Sequence, residues 1–218
     1  KYLMRSLMAA AGVPCPWFRH FSTADDLTAL AAELAYPCVV KPLHLNASRG
    51  VIRADNPAEF IAAARRTARI VAADNPGTAH RALLVEGFIA GREVALEGML
   101  DDGRLTVLAL FDKPDPLDGP YFEETIYVTP SRLPAPVRAA IAECAQAAAR
   151  AVGLTRGPVH AELRIGGTQP WMLEVAGRSI GGLCSQTLRF DLDRSLEELI
   201  LRQACGLPWQ VAPAASAS

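Results

Sequence analysis

Residues 157–183, GPVHAELRIGGTQPWMLEVAGRSIGGL, decide how the rest of the chain is read. Val159 to Ile165 and Trp171 to Val175 are two apolar-rich runs separated by Gly166, Gly167, Thr168, Gln169 and Pro170, a pattern that predicts a β-hairpin. In the first strand Val159, Ala161 and Leu163 alternate with His160, Glu162 and Arg164; in the second, Met172 and Glu174 alternate with Trp171, Leu173 and Val175. Strand side chains alternate between faces, so antiparallel pairing can set Glu162 opposite Glu174. Facing carboxylates repel unless a shared proton or a cation lies between them, and hard divalent cations prefer carboxylate oxygen. The pair therefore predicts a magnesium site. An acid pair on a solvated sheet face is the alternative that spacing alone leaves open. Arg178, in the turn that follows Glu174, is placed to reach a phosphate held by such a metal.

Composition bounds the wider reading. A chain of 218 residues, 50% of them hydrophobic, can bury a substantial core, and a net charge of −1 gives no bias toward nucleic acid or anionic membrane. A small uncharged or anionic ligand is the better default partner. No apolar run approaches the ~20 residues that span a bilayer, and no signal peptide precedes the first helical pattern, so the expected compartment is the cytoplasm. The five cysteines, Cys15, Cys38, Cys144, Cys184 and Cys205, form no C-x-x-C pair and read as reduced, mostly buried thiols. The chain opens at Lys1 directly in a helical pattern and without methionine, as expected of a segment of a longer protein.

Upstream of the hairpin, helices and strands alternate. Lys1 to Ala11 is a helix closed by Gly12 and Pro14, Pro16 to Phe21 a strand, and Asp25 to Ala35 a helix capped by Ser22 or Thr23. Cys38 to Leu43 is an apolar strand interrupted by Lys41, a costly residue there unless an anion accompanies it. The loop Leu45 to Gly50, with Ser48 and Gly50, suits a flap that drapes amides over phosphate, although an ordinary hairpin turn uses the same residues. Pro57 to Val71 is a helix capped by Asn56, and Ala82 to Phe88 a strand ending in a hinge whose backbone could pair with a planar base. Glu93 to Leu100 and Leu105 to Phe111 form a hairpin across Asp101-Asp102-Gly103. Glu93 and Glu97 fall on one strand face, which reads equally as ligand-binding or solvent-exposed. Lys113 reads equally as a phosphate contact or a surface residue, and His160 as a structural histidine. The proline-rich segment Asp112 to Ser131 is too long for a plain connection and reads as a binding loop. Ala135 to Val152 and Ser195 to Cys205 are helices. The fold class is α+β: two lobes with antiparallel sheets, residues 1–87 and 88–208, and a disordered tail over 209–218.

In order, Lys1, Lys41, Glu86, Glu93, Glu162, Glu174 and Arg178 resemble the ATP-grasp superfamily, with Asn46 to Gly50 as its lid and Val85-Glu86-Gly87-Phe88-Ile89-Ala90-Gly91-Arg92-Glu93 as its linker. Within it, the run from Gly119 to Ser131, His160-Ala161-Glu162 and Glu174-Val175-Ala176-Gly177-Arg178 are similar to the amino-acid ligases and carnosine-synthase-like enzymes. Biotin-carboxylase-like proteins form the neighbouring branch. The resemblance implies an ATP-grasp fold that grips ATP between its lobes, without the usual N-terminal domain. It places Lys1, Lys41, Ser48, Gly50, Glu86, Phe88, Ile89 and Glu93 on the nucleotide, and Mg²⁺, or Mn²⁺ in its stead, on Glu162 and Glu174. It makes Lys41 and Arg178 catalytic, and Glu124, Tyr127 and Arg178 substrate-binding. Tyr127 stands where the dipeptide ligases have histidine, and Ala176 where many members have asparagine. The implied activity is an ADP-forming carboxylate–amine ligase, for which this segment alone need not suffice. A biotin-carboxylase-like component or a non-catalytic nucleotide-binding module are the alternatives. Implied partners are small carboxylate and amine substrates, the N-terminal domain of the same longer chain and a second copy in a homodimer.

Overall fold

The computed structural model of the chain describes residues 1–74 and 82–211, apart from the side chain of Leu192. The expected tail over 212–218 lies outside the described residues. The elements run α1 (Tyr2–Ala10), β1 (Phe18–Ser22), α2 (Leu27–Glu33), β2 (Cys38–Pro42), β3 (Ile52–Ala54), α3 (Pro57–Asp74), β4 (Ala82–Gly87), β5 (Arg92–Asp101), β6 (Arg104–Lys113), α4 (Ala135–Ala151), β7 (Gly157–Gly166), β8 (Gln169–Ala176), α5 (Gly182–Thr187) and α6 (Leu196–Ala204).

Two four-stranded antiparallel sheets result, ordered β1-β4-β2-β3 and β6-β5-β7-β8. Leu27, Leu30 and Ala31 of α2 and Phe60, Ala63, Ala64 and Val71 of α3 cover the first sheet, meeting Cys38, Val40, Leu83 and Val85. The second sheet is covered on one face by Ile141, Cys144, Ala145 and Ala148 of α4, which pack on Val94, Leu96, Val159, Ala161 and Leu163. Local chemistry sets the helix ends. Asn56 Oδ1 accepts from Glu59 N at 3.0 Å and Glu59 returns to Asp55 N, a reciprocal cap that starts α3. Ser195 caps α6 through Glu198 N at 3.1 Å. The cap of α2 is Asp26, whose carboxylate takes the Thr28 and Ala29 amides, rather than Ser22 or Thr23.

Three further features depart from expectation. The first helix was grouped with the first lobe, but its buried Met8 and the following Val13 pack in the core of the second sheet. Gly12, at φ +71°, closes α1, and Val13 N donates back to Met8 O at 3.0 Å, which aims the chain into that core. The short helix α5 after the hairpin had no periodic signal long enough to announce it. Trp209, assigned to the tail, is buried, and Gln210 O accepts from Arg194 at 2.9 Å.

Candidate active site

The face of the second sheet turned away from α4 carries most of the ionisable groups, and ladder register arranges them in rows. Lys113, Glu93 and Arg164 lie side by side across β6, β5 and β7; in the next row Ala95, Glu162 and Glu174 follow across β5, β7 and β8; in the next Glu97 lies opposite His160. Opposite charges on neighbouring strands thus alternate with the acid pair. Glu162 and Glu174 are directly opposed.

That opposition depends on a bulge. Leu163 pairs with Met172 but Glu162 pairs with Glu174, so Leu173 is the extra residue. In an unbroken ladder counted from the turn, Glu162 would meet Leu173 and Glu174 would point to the other face. The strict alternation expected of β8 does not hold: Met172 and Val175, three apart, are buried in the same core.

Lys113 is buried, with its Nζ 2.8 Å from Glu93, in a short contact with Glu124 and 3.5 Å from Glu162. It is neither surface-exposed nor free for phosphate. Burial alone would lower its pKa, but Glu162, Glu93 and Glu124 together outweigh burial and hold it well above the ordinary lysine value. Oxygens of Glu93, Glu124 and Glu162 cluster within 4.8 Å of one another, and the ammonium sits among them. Glu93, expected on the nucleotide, instead bonds Lys113 and Arg164, the latter at 3.0 Å. Glu124, expected to receive an amine, gives Oε1 to Lys113 and Oε2 to the Tyr127 hydroxyl, so both oxygens are occupied. Burial and the Glu124 contact push the Tyr127 phenol up, so it stays a neutral donor.

Glu97 is buried rather than solvent-exposed, with one oxygen on His160 Nδ1 and the other accepting from Ile180 N at 2.9 Å, which pins the turn beside Arg178. Burial opposes the charged imidazole, but its contacts with Glu162 and Glu97 win and raise His160 to about 9. Every buried side-chain polar atom among the described residues has a partner.

Lys41 and Lys1 lie in the electrostatic reach of this face. Lys41 Nζ lies 2.7 Å from Glu86 Oε2 at the end of β4, which supplies the anionic partner that its strand position demanded. The Lys1 ammonium donates to Leu45 O at the start of the lid. Burial lowers its pKa, partly offset by Glu174, with Lys41, Glu86 and Glu162 also acting on it. Lys1, Lys41, Glu86, Glu162 and Glu174 therefore share one electrostatic neighbourhood. Arg5, which sequence reasoning passed over, is buried among them: Nε donates to Glu86 at 2.8 Å, Nη1 to Met172 O at 2.7 Å and Nη2 to Leu173 O at 2.8 Å. Its signal was its spacing, one helical turn from Lys1 and on the same face as Met8.

The remaining expected residues sit around this centre. Ser48 and Gly50 occupy the lid turn at φ +52° and +72°, and Gly50 O accepts from Thr67 Oγ1 at 2.9 Å. In the linker, Phe88 N donates to Pro37 O at 3.1 Å and Ile89 O accepts from Arg164 at 2.9 Å. The Phe88 ring lies 4.1 Å from the Arg53 guanidinium and 4.9 Å from that of Arg164. Arg164 also donates to Leu117 O, and Arg53 to Asp118 O at 2.6 Å, so the proline-rich segment straps the two sheets together. Arg178 is exposed, and its guanidinium donates to Ser179 O at 2.9 Å.

The donor set of the acid pair fits a hard divalent cation. Both contacts of Glu162 run through Oε1, and the Glu174 carboxylate has no hydrogen bond or ion pair among the described residues. Opposed oxygens left open in this way suit Mg²⁺ or Mn²⁺.

Fold and site together define an α+β domain of two antiparallel sheets in which Lys1, beside Lys41 and Glu86, also feels the opposed carboxylates Glu162 and Glu174. The chain belongs to the ATP-grasp family: the ATP-grasp domain matches residues 34–187. A D-alanine–D-alanine ligase from Aromatoleum aromaticum is 31% identical over 179 residues, which cover 80% of this chain and 54% of that protein. The crystal structure of an L-amino acid ligase from Bacillus licheniformis superposes with a TM-score of 0.77 at 28% identity, covering 98% of this chain and 50% of that one. Biotin carboxylase from Campylobacter jejuni, at 19% identity and a TM-score of 0.74 over 96% of this chain and 46% of its own, shares the fold. The chain spans about half the length of the curated relatives it matches.

Proposed function

We propose that this chain is the nucleotide-binding core of an ADP-forming carboxylate–amine ligase acting on small molecules, amino acids among them. The observation that carries the reading is the bulge-dependent opposition of Glu162 and Glu174 beside Lys1 and Lys41. Similarity to a D-alanine–D-alanine ligase and to an L-amino acid ligase supports it. Lys41 and Lys1 hold the phosphate tail of ATP, with Glu86 and the linker on the nucleoside side. Glu162 and Glu174 would hold Mg²⁺, which supplies charge neutralisation between the phosphates. Arg178, whose guanidinium is exposed beside β8, orients the substrate carboxylate. A carboxylate oxygen attacks the γ-phosphorus, ADP leaves and an acyl phosphate forms. An amine then attacks the acyl carbon, phosphate leaves, and the amide remains. Because that acyl phosphate is water-labile, the lid from Asn46 to Gly50 closes over it.

Phosphate release from ATP in the presence of pooled amino acids, measured on the full-length protein, tests this. Release that requires both an amino acid and Mg²⁺ is expected. ATP binding without amino-acid-dependent release would sink the ligase reading.

A further inference from the structure

Arg5 lies in the first helix, far in sequence from the hairpin that carries the acid pair, and it bonds neither carboxylate of that pair. Its guanidinium nevertheless bonds two successive carbonyls, Met172 O at 2.7 Å and Leu173 O at 2.8 Å. In a regular pleated strand successive carbonyls point to opposite sides, so a single fork can take two in a row only where the strand is bulged. Leu173 is the extra residue of that bulge, and the bulge is what brings Glu174 to the face of Glu162. β8 is also an edge strand, open on the side away from β7. The first segment fills part of that edge, since Met172 N donates to Pro14 O at 2.8 Å while Met172 O accepts from Arg5. The third arm of the same guanidinium, Nε, holds Glu86 at 2.8 Å, and Glu86 holds Lys41 at 2.7 Å.

We propose that Arg5 is a positioning residue for the Glu162–Glu174 pair, acting through the Leu173 bulge: it stabilises the register in which the two carboxylates can share one cation. The inference rests on the reading above that this pair holds a divalent metal. Lysine at the same position keeps a positive charge for Glu86 but has no planar fork to take both carbonyls.

The test is a Mn²⁺ titration of the full-length protein, followed by the electron paramagnetic resonance of the free ion, on the parent and on Arg5→Lys, Arg5→Met, Glu174→Gln and Met8→Ala. Met8→Ala opens a cavity on the buried side of the same helix while leaving Arg5 and its bonds to the two carbonyls in place, and so separates lost stability from the loss of those bonds. Arg5→Lys and Arg5→Met are expected to raise the Mn²⁺ Kd by roughly tenfold or more, the scale seen when a group that orients a metal ligand is removed, while Met8→Ala keeps the parent Kd. If Arg5→Met does not fold, Arg5→Lys carries the comparison. Parent-like affinity in a folded Arg5 variant, with Glu174→Gln losing the metal, overturns the role of Arg5 and leaves the metal reading standing. An equal loss in Met8→Ala also overturns it, by reducing the effect to stability. Unchanged Mn²⁺ affinity in Glu174→Gln overturns the metal reading and this inference with it.

Discussion

A buried ammonium ringed by three carboxylates illustrates how single residues hold this site. Lys113 has a side-chain exposure of 1%, and Glu93, Glu124 and Glu162 converge on it. Taking Lys113 out removes a cation from buried Glu93, which keeps Arg164, and from the partly exposed Glu124 and Glu162, at a cost of about 3 kcal/mol, the low end for breaking a buried pair. Lys113→Met should lower the urea-unfolding free energy by that order, and a loss below about 1 kcal/mol would show that Arg164, His160 and Tyr127 compensate the acids without it. Lys41 differs, since it is 16% exposed and, among the described residues, pairs only with Glu86. If it serves phosphate, Lys41→Ala should weaken ATP by tenfold or more, the order expected when a charge-assisted contact worth ~1.5–3 kcal/mol is removed, and leave adenosine within twofold. Equal losses for the two ligands, measured by calorimetry, would return Lys41 to a structural role.

At the scale of elements, the linker between β4 and β5 turns on one residue. Gly91 has φ +127°, and a Cβ there would stand 2.0 Å from Ile165 O on β7. Gly91→Ala should therefore cost on the order of 3 kcal/mol or more, combining backbone strain with displacement of the ladder. A thermal midpoint within 2 °C of the parent would show that the turn relaxes freely. Sequence reasoning reached the elements themselves, because their signals are local: Asn56 before Pro57, Ser195 before Leu196 and Asp102-Gly103 between β5 and β6 each act within a few residues. It reached the opposition of Glu162 and Glu174 too, yet through a straight ladder with Ile165 opposite Trp171, whereas the tighter turn pairs Gly166 with Gln169 and the opposition then needs the bulge. The bulge was not legible because nothing in Trp171 to Val175 demands it. Its partners are Arg5 and Pro14, more than 150 residues away in the chain. For the same reason the sequence puts Glu93 and Glu124 on ligands: each carries the right chemistry, and only the return of Lys113 to the same point shows that both already share a cation.

For the whole molecule, the consequential contact is the one that joins the sheets. Glu86 belongs to the first sheet and is 2% exposed; Arg5 reaches it from a helix packed in the core of the second, and Lys41 reaches it from β2. Burial alone would raise the Glu86 pKa, but Lys41 and Arg5 outweigh it and hold the carboxyl below the ordinary glutamate value. A carboxyl depressed in the folded state contributes stability that is present above the unfolded pKa and is lost as pH falls through the folded one. Glu86→Gln leaves two cations facing a neutral amide in a buried place, so at pH 7 it should destabilise by about 3–5 kcal/mol. That difference should narrow as the parent is taken below about pH 4.5, because the unfolded parent then gains a proton that its folded form resists and the variant has no such proton to gain. Other acids titrate in the same range, but they are common to both proteins and cancel in the difference. Urea unfolding of both at pH 7 and pH 3.5 reads it directly. A difference that stays constant between the two would mean that Glu86 is not held ionised by Arg5 and Lys41, and the sheets would then have to be joined mainly by the strap from Leu117 to Pro120, whose hydrogen bonds to Arg53 and Arg164 run through carbonyls.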